Sequence, residues 1–204
     1  MNQDDLIKEI GHIRSMMEKS SKFISISGLS GILIGLYALL GAALAYIKID
    51  GIQSGLDYQE RTIDKSTVTF LILLALAVLA ASLLTGIWMA GRKARRIKQS
   101  IWNVTSRSLL FALAVPLVTG GIVCIIWVIK GYYMLVASTL LVFYGLALTA
   151  GSVYTFKEVR WLGLLEIMLG LLALLLPGYG LWLWAAGFGL LHMIYGFIVY
   201  KKYE

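Results

Sequence analysis

Six long apolar stretches occupy most of this 204-residue chain, and charged side chains are nearly absent from them. About 20 consecutive apolar residues let a helix cross the hydrocarbon core of a bilayer, where backbone groups find no water to bond. Charged residues make up only 14% of the chain, whereas soluble domains contain about 25%. The sequence therefore predicts an all-α polytopic membrane bundle of six transmembrane helices. The predicted spans are residues 23–47, 66–91, 108–129, 131–156, 161–177 and 181–200.

Successive spans are predicted to form three consecutive helical hairpins within one transmembrane domain, residues 23–204. The turn-forming sequence Pro177-Gly178-Tyr179-Gly180 separates the last two spans,. Pro116 lies inside the third span, where a membrane helix tolerates the lost backbone hydrogen bond if its neighbours satisfy the freed carbonyl.

Lysine and arginine are divided unequally between the two sides of this predicted topology. Fourteen of the 18 lie in the N-terminal segment, the second and fourth loops and the C-terminal tail. Basic loops stay in the cytoplasm, so both termini are predicted to be cytoplasmic. The basic residues adjoin apolar spans, which favours contact with anionic lipid headgroups over nucleic acid. The densest cluster is predicted to contact headgroups or a soluble partner: Arg92, Lys93, Arg95, Arg96 and Lys98.

Residues 1–22 are predicted to form an amphipathic cytoplasmic arm. Leu6, Ile10, Ile13 and Met17 recur at steps of four, three and four, which places them on one face of a helix,. Three arrangements remain open for this helix: it lies on the inner leaflet, packs beneath its own bundle, or pairs with a partner helix. The segment has no apolar core, so no cleaved signal peptide is expected.

Glu166 and His192 are the two ionisable side chains, tyrosines aside, expected inside the last hairpin. Burying such a group in hydrocarbon costs about 2.5 to 3.5 kcal/mol, so each needs a partner or trapped water. Both lie at similar depths, and each belongs to a stripe of small residues of the kind that lets membrane helices pack closely. We therefore predict that the two side chains face each other. The stripes are Gly163, Gly170 and Ala173 on one helix, and Ala185, Gly189 and Gly196 on the other.

Three interpretations of the Glu166–His192 pair remain open. It is a hydrogen bond that fixes the register of two helices, or a proton-accepting site that changes charge near neutral pH, or two unrelated lipid-facing side chains.

A similar stripe of small residues in the first span marks a helix contact, either internal packing or dimerisation. Its residues are Ser27, Gly31 and Gly35.

The soluble segments carry no nucleotide-binding loop, paired-histidine zinc motif or nucleophile elbow. The single cysteine, Cys124, excludes an intramolecular disulfide and a cysteine-based metal site,. The sequence is therefore expected to be neither an enzyme nor the carrier of a cofactor or metal.

The sequence of residues 16–31, MEKSSKFISISGLSG after its first Met, resembles the start of a family of uncharacterised six-helix membrane proteins of Bacteroidota. The resemblance implies a bacterial inner membrane and brings no activity or site residues. The last hairpin, residues 162–197, is similar to the short glycine-rich hairpins of bacterial acid-resistance membrane proteins, from which no functional residue is transferred.

Two functions fit these features. The first is a regulatory, scaffolding or sensing membrane protein whose basic cytoplasmic face contacts lipid or a soluble partner. The second is a small transporter or channel, assembled as a homo-oligomer, with Glu166 and His192 along its path. A hydrated cavity that reaches Glu166 would favour transport, whereas a dry bundle that seals this carboxylate against His192 would favour the first function.

Overall fold

The computed structural model describes residues 27–50, 64–96, 100, 102–176 and 178–203. These residues form six helices. The predicted arm, residues 1–22, lies outside the described residues. The helices are α1 (Gly28–Asp50), α2 (Lys65–Arg96), α3 (Val104–Lys130), α4 (Met134–Gly151), α5 (Lys157–Leu175) and α6 (Gly180–Tyr203).

Five of these helices, α1, α2, α3, α4 and α6, are long and apolar enough to cross a membrane. The prediction of an all-α protein with several spans is therefore confirmed, and the chain is a multi-pass membrane protein. Helix α5 has 19 residues but carries charged side chains in its first turn and Glu166 at its centre.

The helix at the predicted span 131–156 is shorter at both ends than the prediction, because local backbone signals limit it more than apolarity alone suggests. Gly131 has a φ of 79° and its N–H bonds back to α3, a left-handed cap that glycine adopts without strain. Helix α4 consequently starts at Met134, and after Gly151 the chain tightens into one 3₁₀ turn. Pro116 lies inside α3 as predicted.

Among the described residues, the two helices of each predicted hairpin pack against each other, but the most extensive contacts join different hairpins. Helix α4 packs along α5, and α1 packs along α6. Helix α2 lies mainly on α1, and α3 mainly on α4, so these two occupy the outside of the bundle. The three predicted hairpins describe only the order of the helices along the chain. The centre of the bundle is formed by α1, α4, α5 and α6.

Glycines allow the two central pairs to approach closely. A Cβ on Gly196 of α6 would lie 2.5 Å from the backbone nitrogen of Ile32 in α1. A Cβ on Gly163 of α5 would lie 2.7 Å from the carbonyl oxygen of Gly145 in α4. No side chain fits at such distances, so glycine is required at both contacts.

Candidate functional site

The small-residue stripes of α5 and α6 do not face each other as the sequence suggests. Gly163 and Gly170 pack on α4, whereas Gly189 and Gly196 pack on α1. Steps of three and four residues spread over a wide arc of a helix with 3.6 residues per turn. Glu166 and His192 therefore lie at the edges of their stripes and meet in the angle between the two close-packed pairs.

A buried polar cluster, which we define as Tyr144, Glu166, His192 and the carbonyl of Gly187, lies near the middle of α4, α5 and α6. His192 Nδ1 is 3.4 Å from Glu166 Oε1. The same nitrogen is 3.0 Å from the Gly187 oxygen, and His192 Nε2 is 2.8 Å from the Tyr144 hydroxyl. Glu166 is 0% exposed and His192 3%, so protein surrounds these two side chains, while Tyr144 is half-buried.

The hydrogen bonds of His192 fix which ring nitrogen carries the proton in its neutral form. A carbonyl oxygen only accepts, so Nδ1 donates to Gly187,. In a neutral ring, Nε2 then accepts from the Tyr144 hydroxyl,. The distance of 3.4 Å between His192 Nδ1 and Glu166 Oε1 exceeds the range of about 2.7 to 3.2 Å that is typical of N–H···O hydrogen bonds,. The contact with Glu166 is therefore electrostatic.

Of the residues in the polar cluster, Glu166 makes the fewest hydrogen bonds. Neither of its carboxyl oxygens has a hydrogen-bond partner among the residues that the structure describes. A buried polar group left without a partner costs about 1 to 3 kcal/mol. A buried polar group that carries such a cost without compensation marks the position as a candidate functional residue.

A π-helical segment, Ala185–Leu191, precedes His192 in α6. Insertions of this kind widen a helix and frequently occur at functional sites. At its centre, Gly187 leaves room for the neighbouring carboxyl group, since a Cβ there would collide with Glu166 Oε2 and lie 2.6 Å from a Leu141 methyl carbon. The π-helical segment therefore places both the carbonyl that orients His192 and the space that Glu166 occupies.

Sequence reasoning missed Tyr144 and Gly187. A tyrosine within an apolar span needs a partner for its hydroxyl, and this requirement was the available signal for Tyr144. Gly187 carried no signal, because short runs of alanine and glycine do not predict π-helical turns.

An aromatic row follows α6 from the polar cluster towards the start of the helix. Phe188 lies 5.9 Å from His192 and 5.1 Å from Trp184, measured between ring centroids. Tyr144 of α4 also contacts Phe188, at 4.8 Å. Trp184 lines a cavity at that end of the bundle, but no member of the polar cluster does. The row therefore separates the cluster from the cavity.

The predicted basic cluster lies at the end of α2. Arg92, Arg95 and Arg96 are exposed there, while Lys93 is half-buried. The Arg92 guanidinium lies 5.8 Å from the centroid of the Trp88 ring, a cation–π arrangement found at membrane interfaces. Lys98 lies outside the described residues. We call this end of the bundle, where α2 and α6 finish, the basic end.

The predicted stripe on α1 is an internal contact. A Cβ on Gly31 would lie 2.9 Å from the Gly196 Cα atom, and one on Gly35 would lie 2.6 Å from the Gly189 carbonyl oxygen. Ser27 is buried, and its carbonyl accepts a hydrogen bond from the Ser30 hydroxyl. The stripe therefore serves the α1–α6 pair within one chain.

Within the described ranges, no three histidine, cysteine, aspartate or glutamate side chains are grouped so that they could hold a metal ion. No protein-family model matches the chain, and no curated protein or solved structure is significantly similar to it. The resemblance to the Bacteroidota family stays a prediction.

Proposed function

We propose that the protein is a regulatory, scaffolding or sensing protein of a bacterial inner membrane, which acts through its basic end on the cytoplasmic side. The observation that carries the proposal is the sealed carboxyl group of Glu166, which is 0% exposed. A solute path through the bundle needs polar groups in contact with water. A cavity of about 490 Å³ between the described helices is apolar, and the polar cluster does not line it.

Orientation follows from the positive-inside rule. The basic end contains the Arg92–Arg96 segment of α2 and the lysines that finish α6, so it belongs in the cytoplasm. Helix α5 is proposed as the sixth span, because it packs along α4. In addition, Lys202 near the end of α6 lies 2.6 Å from Glu158 near the start of α5. Both termini then lie on the cytoplasmic side.

In this proposal the polar cluster fixes the register of three helices. His192 bonds to Tyr144 of α4 and contacts Glu166 of α5. Sliding or rotating any of these helices breaks a contact that hydrocarbon cannot replace. A defined register transmits a change at one end of the bundle to the other, as a sensing or scaffolding protein requires.

A topology experiment tests the orientation first. In a Cys124→Ala background, single cysteines replace Arg95 at the basic end and Lys130 at the opposite end. An impermeant maleimide added outside spheroplasts should label the Lys130 position and spare the Arg95 position until the membrane is permeabilised. The reverse pattern would invert the bundle and remove the proposed cytoplasmic face.

A crosslinking experiment tests the function itself. A photoreactive residue is placed at Arg95 in one protein and at Lys130 in a matched control, and adducts are identified by mass spectrometry in living cells. The proposal expects a defined cytoplasmic protein at Arg95 alone, with yield lost after Arg92→Gln and Arg96→Gln. Lipid adducts alone at both positions would contradict a regulatory role.

Proton-coupled transport is the second candidate, and one observation favours it. Both Glu166 oxygens lack partners among the described residues, so the carboxyl group keeps the capacity to accept a proton. Purified protein in vesicles with an imposed pH gradient would then move protons or a solute, and Glu166→Gln would abolish the flux. Absence of flux in the unmodified protein would leave the regulatory proposal as the better account.

A further inference from the structure

The carboxyl group of Glu166 is enclosed by the bundle without a hydrogen bond. Its side chain is 0% exposed, and both oxygens lack partners among the described residues. An ionised carboxylate accepts several hydrogen bonds from water, and protein groups must replace them when the charge is buried. A neutral carboxylic acid loses far less on burial. The packing around Glu166 therefore fits the protonated form of this side chain.

The position of His192 argues against an ion pair with Glu166. A protonated imidazole beside a carboxylate forms a short charge-assisted bond of about 2.7 to 2.9 Å. His192 Nδ1 instead lies 3.4 Å from Glu166 Oε1 and 3.0 Å from the Gly187 oxygen. The ring thus donates its proton to the carbonyl. Both members of the pair are accordingly neutral in this packing.

The neighbouring helices bring no charge to Glu166 within the part of the chain that the structure describes. Helix α5 packs on α4 and α6, and the titratable groups near the carboxyl group are Tyr144 and His192, with Tyr195 one turn further along α6. The charged residues of α5 and α6 lie at the basic end: Lys157, Glu158, Arg160, Lys201 and Lys202. The nearest of them along α5, Arg160, is about 9 Å away along the helix axis. An ionised Glu166 would therefore have His192 as its one source of compensation among these groups.

The space beside Glu166 admits a proton and no larger cation. A Cβ on Gly187 would collide with Glu166 Oε2, and the neighbouring Leu141 is 0% exposed. A metal ion needs several oxygen or nitrogen ligands around it, and no three metal-binding side chains are grouped in the described ranges. Glu166 therefore has the chemistry of a proton-binding group.

The π-helical segment Ala185–Leu191 is the element that a charge on Glu166 would disturb. Its Gly187 carbonyl accepts the Nδ1 proton of His192. An ionised Glu166 competes for this proton, because a charged acceptor bonds about twice as strongly as a neutral one. A carbonyl released by the ring regains a backbone donor at the α-helical spacing of four residues. Conversion of a π turn to an α turn shifts the helix on one side of it by one residue.

The helix on each side of the π-helical segment makes contacts that such a shift would change. On one side, Trp184 precedes the segment and contacts the Phe188 ring. On the other side, the helix runs from His192 to Tyr203 at the basic end, where Lys202 pairs with Glu158 of α5. The segment therefore connects the polar cluster with the end of the bundle that the proposed function uses.

We propose that Glu166 is a regulatory proton-binding site, whose protonated form keeps the π-helical segment packed as observed and whose loss of the proton releases it. This role rests on the proposed sensing function and names the proton as its signal. The observed packing binds one proton more than the released packing, so acid favours the observed packing and rising pH favours the released one. The ratio of the two should change about tenfold per pH unit, as for a single proton.

Infrared spectroscopy tests the protonation state. The purified full-length protein in phospholipid nanodiscs should show, at neutral pH, the C=O band of one carboxylic acid, and Glu166→Gln should lack this band. Glu158→Gln should keep the band, because Glu158 pairs with Lys202 and is ionised. Absence of the band from the unmodified protein would mean that the buried carboxyl group is charged and would overturn the proposal.

Fluorine NMR tests the coupling to α6. Fluorotryptophan at Trp184 reports on the π-helical segment, since this ring contacts Phe188. The same label at Trp127 of α3 is the control, because that ring bonds to Thr139 of α4. As the pH is raised, the Trp184 resonance should move from one position to another with the slope of a single proton. The Trp127 resonance should stay in place.

Glu166→Gln is the decisive variant, because glutamine has nearly the shape of a protonated glutamate and loses no proton in this range. Its Trp184 resonance should stay at the acid position at every pH, whereas Glu158→Gln should titrate like the unmodified protein. A step that persists in Glu166→Gln would overturn the proposal. The titration of the unmodified protein needs no variant, and absence of a step there would also overturn it.

The outcome is separable from that of the proposed function. A partner crosslinked at Arg95, with no pH step in the purified protein, would uphold the regulatory function and overturn the proton site. A pH step that depends on Glu166, together with lipid adducts alone at Arg95, would uphold the proton site and contradict the regulatory function.

Discussion

The bundle packs tightly at the level of the polar cluster and loosely at the end opposite the basic end. Around Glu166, the space is so restricted that Gly187 leaves no room for a side chain. At the end opposite the basic end, alanines of α1, α2 and α4 face about 490 Å³ of open space. The bundle thus surrounds its buried carboxyl group with protein and leaves an apolar space at the end opposite the basic end.

This difference shows what determines close packing in a membrane bundle. Lipid tails are as apolar as leucine, so burying apolar side chains adds little driving force between helices. Glycines let α1 approach α6 and α4 approach α5 until their backbones touch. Helix α2 is long and very apolar, yet no residue of its most apolar window is buried. Apolarity inserts α2 in the membrane, whereas glycine and polar contacts decide which helices pack closely.

The largest expected effect is that of His192→Ala, which tests whether the cluster is tightly determined. The change removes the partner of Tyr144 and Gly187 and the contact of Glu166. Tyr144 and Gly187 then lose a hydrogen-bond partner, and two buried polar groups left without a partner cost about 2 to 6 kcal/mol at about 1 to 3 kcal/mol each. The free energy of unfolding, measured by steric trapping in bicelles, should fall by that amount.

Glu166→Leu is the matched control for His192→Ala. Glu166 makes no hydrogen bond among the described residues, and replacing a buried charged group by an apolar one of similar volume is often nearly neutral. The double variant should therefore be more stable than His192→Ala alone. If Glu166→Leu is as damaging as His192→Ala, the carboxyl group has a partner that this geometry does not account for.

The next effect concerns the glycine contacts. Gly196→Ala places a Cβ against backbone atoms of α1, and such overpacking costs about 1 to 3 kcal/mol. Gly121→Ala in α3 is the control, because a Cβ there meets nothing within 4 Å. Helix propensity alone favours alanine by about 1 kcal/mol, so the control should be neutral or stabilised in a thermal unfolding measurement. Equal responses from both glycines would mean that the α1–α6 pair is not close-packed.

Much of the fold could be predicted from the sequence because lipid imposes a simple requirement. An uncharged stretch long enough to cross the bilayer becomes a helix, and α1, α2 and α3 occupy the stretches where the first three spans are predicted,. The structure departs from the predicted span at residues 131–133 because apolarity does not detect a left-handed glycine cap such as Gly131. The packing order was also beyond the sequence, since many small-residue stripes could have paired.

The two ionisable residues of the site could be predicted from the sequence, but the residues that surround them could not. Depth along the helices was enough to bring Glu166 and His192 to the same level. The small-residue stripes from which we predicted that the two side chains face each other pack on α4 and α1 instead. Tyr144, on a helix from another hairpin, depends on tertiary packing, and the π-helical segment at Gly187 depends on the space beside Glu166. Neither has a periodic signature.

Tyr144→Phe tests the cluster more gently than His192→Ala. The change removes only the hydroxyl that lies 2.8 Å from His192 Nε2 and leaves the ring contact with Phe188. A single intramolecular hydrogen bond contributes about 0.5 to 1.5 kcal/mol, so the free energy of unfolding should fall by that much. Combined with His192→Ala, the tyrosine change should add little further loss, because the two residues share one interaction. Simple additivity would show that Tyr144 stabilises the bundle through another contact.

The smallest effect is expected at the basic end, where Glu158 of α5 pairs with Lys202 of α6 in partial contact with solvent. Partial burial tends to raise the pKa of Glu158, but hydrogen bonds from Lys202 and Tyr203 and the lysine charge outweigh it and hold the pKa below its ordinary value. A lowered pKa means that the pair stabilises the fold above about pH 4.3, the ordinary glutamate value, and that this contribution is lost as pH falls through the lower folded value.

Glu158→Gln should therefore reduce stability at neutral pH by less than Tyr144→Phe does, because exposed ion pairs are screened by water and salt. The difference between the variant and the unmodified protein should vanish in acid and shrink in high salt, as measured by melting temperature across pH. A loss at neutral pH that persists in high salt would show that the basic end is held as firmly as the polar cluster, and it would remove the contrast between a buried centre and a solvent-accessible basic end.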